Sequence, residues 1–236
     1  LLAPGTVLVV NDSAVISARL LGRKEGSGGA VELLCIREIA PTRWTCLAQS
    51  SKPLRAGTRV EVDGALVTIA SRADDLAQIE ADEPIAELLA RAGRVPLPPY
   101  IRRDAEPEDR DRYQTVYARA PGSVAAPTAG LHFTADILGE LVRCGVEVRT
   151  LTLHVGPGTF LPVRGPIADH RLLPERYRIP EEAGSAVRRA RGEGRPVVAV
   201  GTTTVRALES WARDGRAEGD TDLMILPGYD FRVVTG

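Results

Sequence analysis

"FTADILGELVRCGVEVRTLTLHVG", Phe133 to Gly156, reads as a helix, a glycine stop and a strand. Thr134 is an N-cap residue type, and Ile137, Leu138, Leu141 and Val142 recur on one helical face. Gly145 stands just past the end, where a left-handed residue closes a helix. The pattern then switches to a strand, "GVEVRTLTLHVG" (145–156). Toward the C-terminus, "PEEAGSAVRRARG" (180–192) predicts a second helix, "RPVVAVG" (195–201) a fully apolar strand and "TTTVRALESWARDG" (202–215) a third helix. On that helix, Val205, Leu208 and Ala212 are the expected buried stripe, and Arg206, Glu209 and Arg213 an exposed ion-paired face. At the other end, "TVLVVND" (6–12) is a similar buried strand. Strands alternating with helices of this length specify an α/β fold.

The texture differs from about Leu21 to Asp82. "AVELLCIREI", "RWTCLAQSS", "TRVEVDG", "ALVTIASR" and "LAQIEAD" are short alternating runs, separated by "GSGG", Pro53, Gly57 and Asp63–Gly64. Brief strands with regular turn signals predict a small antiparallel barrel or sandwich. Glu83 to Arg91 reads as one short helix closed by Gly93, followed by the extended, proline-rich "VPLPPYI". The expected organisation is α/β with two domains. Residues 1–20 plus 100–236 form a discontinuous α/β domain, and residues 21–99 form an inserted β-rich barrel domain that ends in the short helix and a hinge. No internal repeat is present.

Apolar residues make up 44% of the chain but aromatics only 4%, so the core is built from aliphatic side chains. Lys plus Arg number 30 against 31 Asp plus Glu, a balance that gives no support to non-specific nucleic-acid binding through a basic surface. Local patches at Arg102, Arg103, Arg110 and Arg112, and from Val187 to Arg195, are interleaved with acids or glycines and read as solvated faces. Cys35, Cys46 and Cys144 have neither zinc-ligand nor disulfide-framework spacing, so reduced thiols are expected. "LLAPGTVLVVND" lacks the basic start and cleavage site of a signal peptide and reads as a strand after a lost beginning. With no apolar run long enough to cross a bilayer, the expected location is cytoplasmic.

All three histidines, His132, His154 and His170, fall in the loop-rich half. His132 precedes the first helix, in "PGSVAAPTAGLHFT". His154 ends a strand before "GPGTF" (156–160), and a third loop, "GTTT" (201–204), joins a strand to its helix. Ligands of α/β proteins bind beyond the carboxyl ends of strands, where glycines let backbone approach and free N–H groups at helix starts attract anions. The small residues of 122–130 would clear space that the imidazole faces. The histidine spacings fit no compact metal-ligand motif, and no metal is expected.

At these loops the chain resembles the S-adenosylmethionine:tRNA ribosyltransferase-isomerase family of the queuosine pathway. The matching stretches are "VPLPPYIRR", "DRYQTVYARAPGSVAAPTAGLHFT", "LHVGPGTFLPVR", "DHR", "VVAVGTTTVRALES" and "LPGYDFRVV", in the family's order. Ala14 stands where the family pattern carries an arginine, and Leu173 where it carries a second histidine. The resemblance implies a monomer with a β-barrel inserted in an α/β domain. It implies that S-adenosylmethionine, as co-substrate, gives its ribosyl unit to 7-aminomethyl-7-deazaguanine at the tRNA wobble position, releasing adenine and methionine. A sulfonium acidifies the neighbouring ribose carbon, so a positioned base could form an ylide before adenine departs and the amine attacks. A neutral imidazole suits that proton transfer, since its unperturbed pKa is about 6.5. On this reading His132, His154 and His170 are the catalytic candidates, with Glu209 or Asp169 orienting a histidine or pairing with the cationic co-substrate. Thr128, Gly130, Gly156, Gly158, Thr159, Gly201, Thr202, Thr203 and Arg206 are the binding candidates. Two alternatives stand beside it: a diverged enzyme giving the ribosyl unit to another acceptor, and a non-catalytic RNA-binding protein that reads through the barrel near Arg43, Trp44 and Lys52.

Overall fold

The computed structural model describes residues 2–73, 75–98, 100–160 and 172–236. In chain order the elements are β1 (Val7–Asn11), β2 (Ser13–Val15), β3 (Arg19–Lys24), β4 (Ala30–Ala40), β5 (Arg43–Ser50), β6 (Arg59–Val62), β7 (Ala65–Ala73) and β8 (Leu76–Ala81). Helices α1 (Ile85–Ala92) and α2 (Asp109–Arg112) follow, then β9 (Ala120–Ser123), α3 (Ala135–Arg143), β10 (Glu147–Leu153), β11 (Glu175–Arg178), α4 (Glu181–Gly192), β12 (Val197–Ala199), α5 (Thr202–Asp214) and β13 (Glu218–Thr221). Contacts divide the chain into two compact units, Leu1–Ala14 with Arg112–Gly236, and Val15–Asp111.

The Val15–Asp111 unit is a closed antiparallel barrel in the order β3-β4-β5-β8-β7-β6, with β6 returning to β3. Alternation does what the sequence pattern asked of it. Leu20, Leu33, Cys46, Val60, Val67, Ile69 and Ile79 are fully buried in one cluster, and their neighbours along the strands are half-buried or exposed except Leu47, which is buried. The α1 residues Ile85, Leu88 and Leu89 join the same cluster. This helix starts at Ile85 after Pro84 rather than at Glu83, because a proline ring disfavours helical backbone at the residue before it. Gly22 is where the barrel closes. A Cβ there would lie 2.6 Å from the Glu61 carbonyl oxygen and 2.7 Å from Val60 and Val62 side-chain carbons, so only glycine lets β3 and β6 pair at this point.

The other unit is built on a five-stranded sheet in the order β12-β1-β10-β11-β13. Strands β12, β1 and β10 are parallel, β11 runs antiparallel to β10, and β13 is antiparallel to β11 and so returns to the direction of the first three. The register places Asn11, Leu153 and Ala199, the last residues of three parallel strands, along one edge. Glu175 and Thr221 face each other across β11 and β13, and pairing of Leu153 with Tyr177 brings Glu175 to that same edge. One sheet face, carrying Val7, Val9, Leu151, Leu153, Tyr177 and Ile179, is covered by Ala183, Ala186, Val187 and Ala190 of α4 and by Ala207, Leu208 and Trp211 of α5. The alanine stripe of α4 lets it approach closely: a Cβ on Gly184 would sit 3.2 Å from the Trp211 ring.

Two helix faces differ from the sequence expectation. The buried stripe of α5 is Thr204, Ala207, Leu208, Ser210 and Trp211, with Glu209 among them, while Val205 and Ala212 are half-buried. The helix is rotated toward Trp211, its largest apolar residue. Helix α3 is capped by Thr134, whose side chain accepts from the Ile137 N–H, but none of its residues is buried. Its apolar periodicity is real, but its apolar face is only partly covered: Leu138 and Leu141 are half-buried, and Ile137 and Val142 are exposed. The substitution Gly22→Ala should lower stability by about 1–3 kcal/mol through overpacking at the β3–β6 seam, measured as the urea midpoint followed by circular dichroism.

Candidate functional site

Beyond the strand ends of the α/β unit, buried polar residues tie the three glycine-rich loops together. Asn11 closes β1 and is 1% exposed. Its Nδ2 donates to the Leu153 carbonyl at 2.9 Å and to Thr203 Oγ1 at 3.3 Å. Its Oδ1 accepts from the Leu153 and Ser13 N–H groups at 3.0 and 3.1 Å. One side chain therefore joins β1, β10 and the loop of residues 201–204. Thr204 Oγ1 returns to the Val200 carbonyl at 2.7 Å, fixing the first turn of α5. Next along the chain, Asp12 accepts from Thr152 Oγ1 at 2.7 Å and from Arg119 Nη2 at 3.1 Å.

The glycines predicted to open space for a ligand are mostly filled by the protein itself. A Cβ on Gly201, whose φ is +82°, would come within 3.0 Å of Ala129 Cβ, so the loop at 201 lies against the turn of residues 128–132. At Gly130 a Cβ would meet the Tyr117 hydroxyl at 2.1 Å and Thr115 at 2.8 Å, and at Gly122 the His154 ring. Gly156 faces the Glu175 side chain, and its N–H donates to Glu175 Oε1 at 2.7 Å. Gly158 alone among these five has nothing within 4 Å of a Cβ. Thr128 and Thr202 are exposed, Thr203 holds Asn11, and the backbone of Thr159 lies in the short turn Pro157–Phe160.

Of the three histidines, His132 ends the turn Thr128–His132, exposed, with its Nδ1 3.4 Å from the Ala129 carbonyl oxygen. His154 is half-buried. Its N–H donates to the Arg176 carbonyl at 2.9 Å, and the next residue, Val155, donates to Ser123 Oγ at 2.9 Å. Backbone on both sides thus fixes its place. Burial holds the His154 imidazole below the usual pKa, with Arg176 acting in the same direction and Asp12 opposing it. Ser13 Oγ, Thr115 Oγ1 and His154 Nδ1 are buried with no hydrogen-bond partner. The Tyr117 phenol is pushed up to about 12 by burial. His170 and Asp169 lie outside the described residues.

Arg206 and Glu209, read from the sequence as ligand-facing, are engaged inside the protein. Arg206 donates from Nη1 to Glu175 Oε2, from Nε to the Leu223 carbonyl at 2.8 Å and from Nη2 to the Thr221 carbonyl at 3.2 Å. Glu209 is fully buried and accepts the N–H groups of Arg232, Val233 and Val234 at 2.8 to 3.1 Å, with the Tyr229 hydroxyl at 3.4 Å. An ion-paired helix face became a buried network because β11, β13 and residues 229–234 pack over it. Sequence reading passed over Asn11 as a hub, though polar "ND" directly after the apolar "VLVV" was its signal. It also passed over Glu175 and Tyr117, whose partners only the fold identifies. Among the described residues, no group of three or more His, Cys, Asp or Glu is arranged to hold a metal ion.

A profile of the family described as "Queuosine biosynthesis protein" matches residues 1–236. The chain is 51% identical over 245 residues to the S-adenosylmethionine:tRNA ribosyltransferase-isomerase of Anaeromyxobacter dehalogenans (strain 2CP-C), covering 99% of this chain and 71% of that protein. It is 48% identical to the protein of the same name from Syntrophotalea carbinolica, with the same two coverages. Among solved structures it is similar to the S-adenosylmethionine tRNA ribosyltransferase of Thermotoga maritima, at 28% identity and a TM-score of 0.42, covering 99% of this chain and 66% of that one.

Arg206→Met should cost about 3–5 kcal/mol, because it leaves Glu175 charged and unpaired, and the double variant Glu175→Gln/Arg206→Met should lose clearly less; urea unfolding of the three variants checks this. His154 also couples stability to pH. Its folded pKa lies below the unfolded value of about 6.5, so as pH falls below that value the unfolded chain takes the proton first. The His154 contribution is intact above the unfolded pKa and is lost as pH falls through the folded one. The drop in urea midpoint from about pH 7.5 to about pH 5 should be smaller in His154→Gln than in the parent.

Proposed function

The chain belongs to the queuosine biosynthesis protein family and is a ribosyltransferase-isomerase of tRNA modification, and we propose that its acceptor is the 7-aminomethyl-7-deazaguanine base at the tRNA wobble position. S-adenosylmethionine gives its ribosyl unit, the ring is rebuilt to an epoxycyclopentanediol, and adenine and methionine leave. The site of this chemistry is the carboxyl edge of β12, β1 and β10. The observation that carries the reading is the Asn11 amide, which holds the end of β10 and the first turn of α5 together, beside the contact of Gly201 with Ala129. Loops that carry His132, His154 and the start of α5 are thereby neighbours.

In this reading an imidazole, His132 or His154, handles the proton of the ribose carbon next to the sulfonium. The backbone of residues 156–159 and 201–203 supplies N–H groups for the methionine carboxylate or an RNA phosphate. Open space at Gly158 favours the first of these loops. Glu175, Arg206 and Glu209 act as positioning residues, since their polar atoms serve loops and strands. The reaction requires no metal, and we place the enzyme in the cytoplasm as a monomer. No helix among the described residues is long and apolar enough to cross a membrane.

The test is incubation of the purified protein with S-adenosylmethionine and tRNA carrying the aminomethyl base. Free adenine by chromatography and the epoxide-containing nucleoside by mass spectrometry are expected together. Adenine without modified tRNA would indicate a different acceptor, the reading that Ala14 and Leu173 motivate. In the same assay, His132→Ala and His154→Ala should each reduce turnover by more than about tenfold; smaller losses in both, with folding intact, would remove the imidazoles from the chemistry.

A further inference from the structure

The two described histidines sit in opposite hydrogen-bonding environments, and that difference divides the work between them. In a neutral imidazole one nitrogen carries the proton and the other a lone pair, and the partner of one nitrogen decides the state of the other. At His132, Nδ1 has the Ala129 carbonyl oxygen 3.4 Å away. A carbonyl can only accept, so a hydrogen bond between them has Nδ1–H as its donor, the form in which Nε2 keeps its lone pair. At His154, Nδ1 is buried without any partner. The group in front of it is Gly122, in a backbone conformation (φ +140°) that favours glycine, where a Cβ would lie 2.8 Å from Nδ1 and 3.0 Å from Cε1.

A proton on His154 Nδ1 would be a buried donor facing the Gly122 Cα–H, with the full desolvation cost of an unmade hydrogen bond. A lone pair at the same place meets that C–H in a weakly favourable contact. The proton therefore resides on Nε2, the nitrogen on the side of the ring away from Gly122. Protonating the whole ring would also put a hydrogen on Nδ1, so the same contact resists the imidazolium. Asp12 is the charged group that favours the cation, and Arg176 opposes it.

We propose that His132 is the base, through an Nε2 lone pair, and that His154 is a neutral hydrogen-bond donor to the substrate through Nε2–H, its tautomer selected by Gly122. The assignment rests on the ribosyl-transfer reading above. In the step itself, the C–H bond beside the sulfonium breaks, its electron pair stays on carbon, and the proton forms a bond with His132 Nε2. The Ala129 carbonyl already accepts the other N–H, so the resulting imidazolium has a partner. His154 gives up no proton.

Two measurements test this. In protein labelled with 15N-histidine, ring-nitrogen shifts and couplings assigned through His132→Gln and His154→Gln should show the Nε2–H form at His154 and the Nδ1–H form at His132. The opposite form at either position overturns the proposal. In the adenine-release assay, His154→Gln retains a donor near the Nε2 position but cannot take a proton. It should stay within about tenfold of the parent, whereas His154→Ala and His132→Gln should fall by about a hundredfold or more. Equal loss in His154→Gln and His154→Ala, with native dichroism, would falsify the donor role. If the parent itself releases no adenine, the ribosyl-transfer reading fails, and the nitrogen spectra still decide the tautomers.

Discussion

The α/β unit depends on a single buried amide. Asn11 ends the central parallel strand, and its two donors and two acceptors are all used, on Leu153, Thr203 and Ser13. A buried amide with every hydrogen bond made is a specific connector, and one with a bond missing is costly. The side chain ties the end of β10 to the first turn of α5, so it sets the spacing of the edge on which the chemistry is proposed. Asp12 adds the next connection, from β1 to Thr152 and Arg119. Apolar packing of α4 and α5 on the other side of the strands fixes the sheet, and these polar contacts fix its end.

The glycines of the site act mainly as recipients of side chains. Gly122 takes the His154 ring, Gly130 the Tyr117 hydroxyl and Gly201 the Ala129 methyl. Each absent Cβ allows a contact that defines the position of a loop. In each case a missing Cβ leaves the room that a neighbouring side chain occupies. This explains how loops can hold imidazoles steadily without secondary structure of their own: each glycine contact docks the loop on an element already fixed elsewhere.

The barrel and the α/β alternation were legible because both are periodic. A strand period of two and a helix period near 3.6 are local properties, and Leu20, Leu33, Ile69 and Ile79 declare theirs within a few residues. The glycine-rich turns at strand ends were legible for the same reason. Asn11 was not, since its partners Leu153 and Thr203 are 142 and 192 positions away. Glu209 was misread on α5 because helical spacing of charges describes a surface only when nothing covers it, and the segment that covers it is Tyr229–Val234. The same limit shows on α3. Periodicity gave the apolar face of Ile137, Leu138, Leu141 and Val142, but whether a face is covered is a tertiary property.

Electrostatics constrain which imidazoles can stand beside a sulfonium. Two unit positive charges about 4 Å apart repel by about 4 kcal/mol at an effective dielectric near 20, so a protonated histidine in contact with a cationic co-substrate would weaken its binding roughly a thousandfold. A histidine there must stay neutral when substrate arrives. Burial is the simplest means, because it penalises the charged form without adding a counter-charge that would compete for the sulfonium. His154 uses burial first and Arg176 second. An imidazole that must end the step as a cation has the opposite requirement, since its charge is stabilised by solvent access and a carbonyl acceptor. His132 has both, being exposed and within reach of the Ala129 oxygen. The proposed division of roles between two chemically identical rings thus rests on what lies in front of Nδ1, a glycine in one case and a carbonyl in the other.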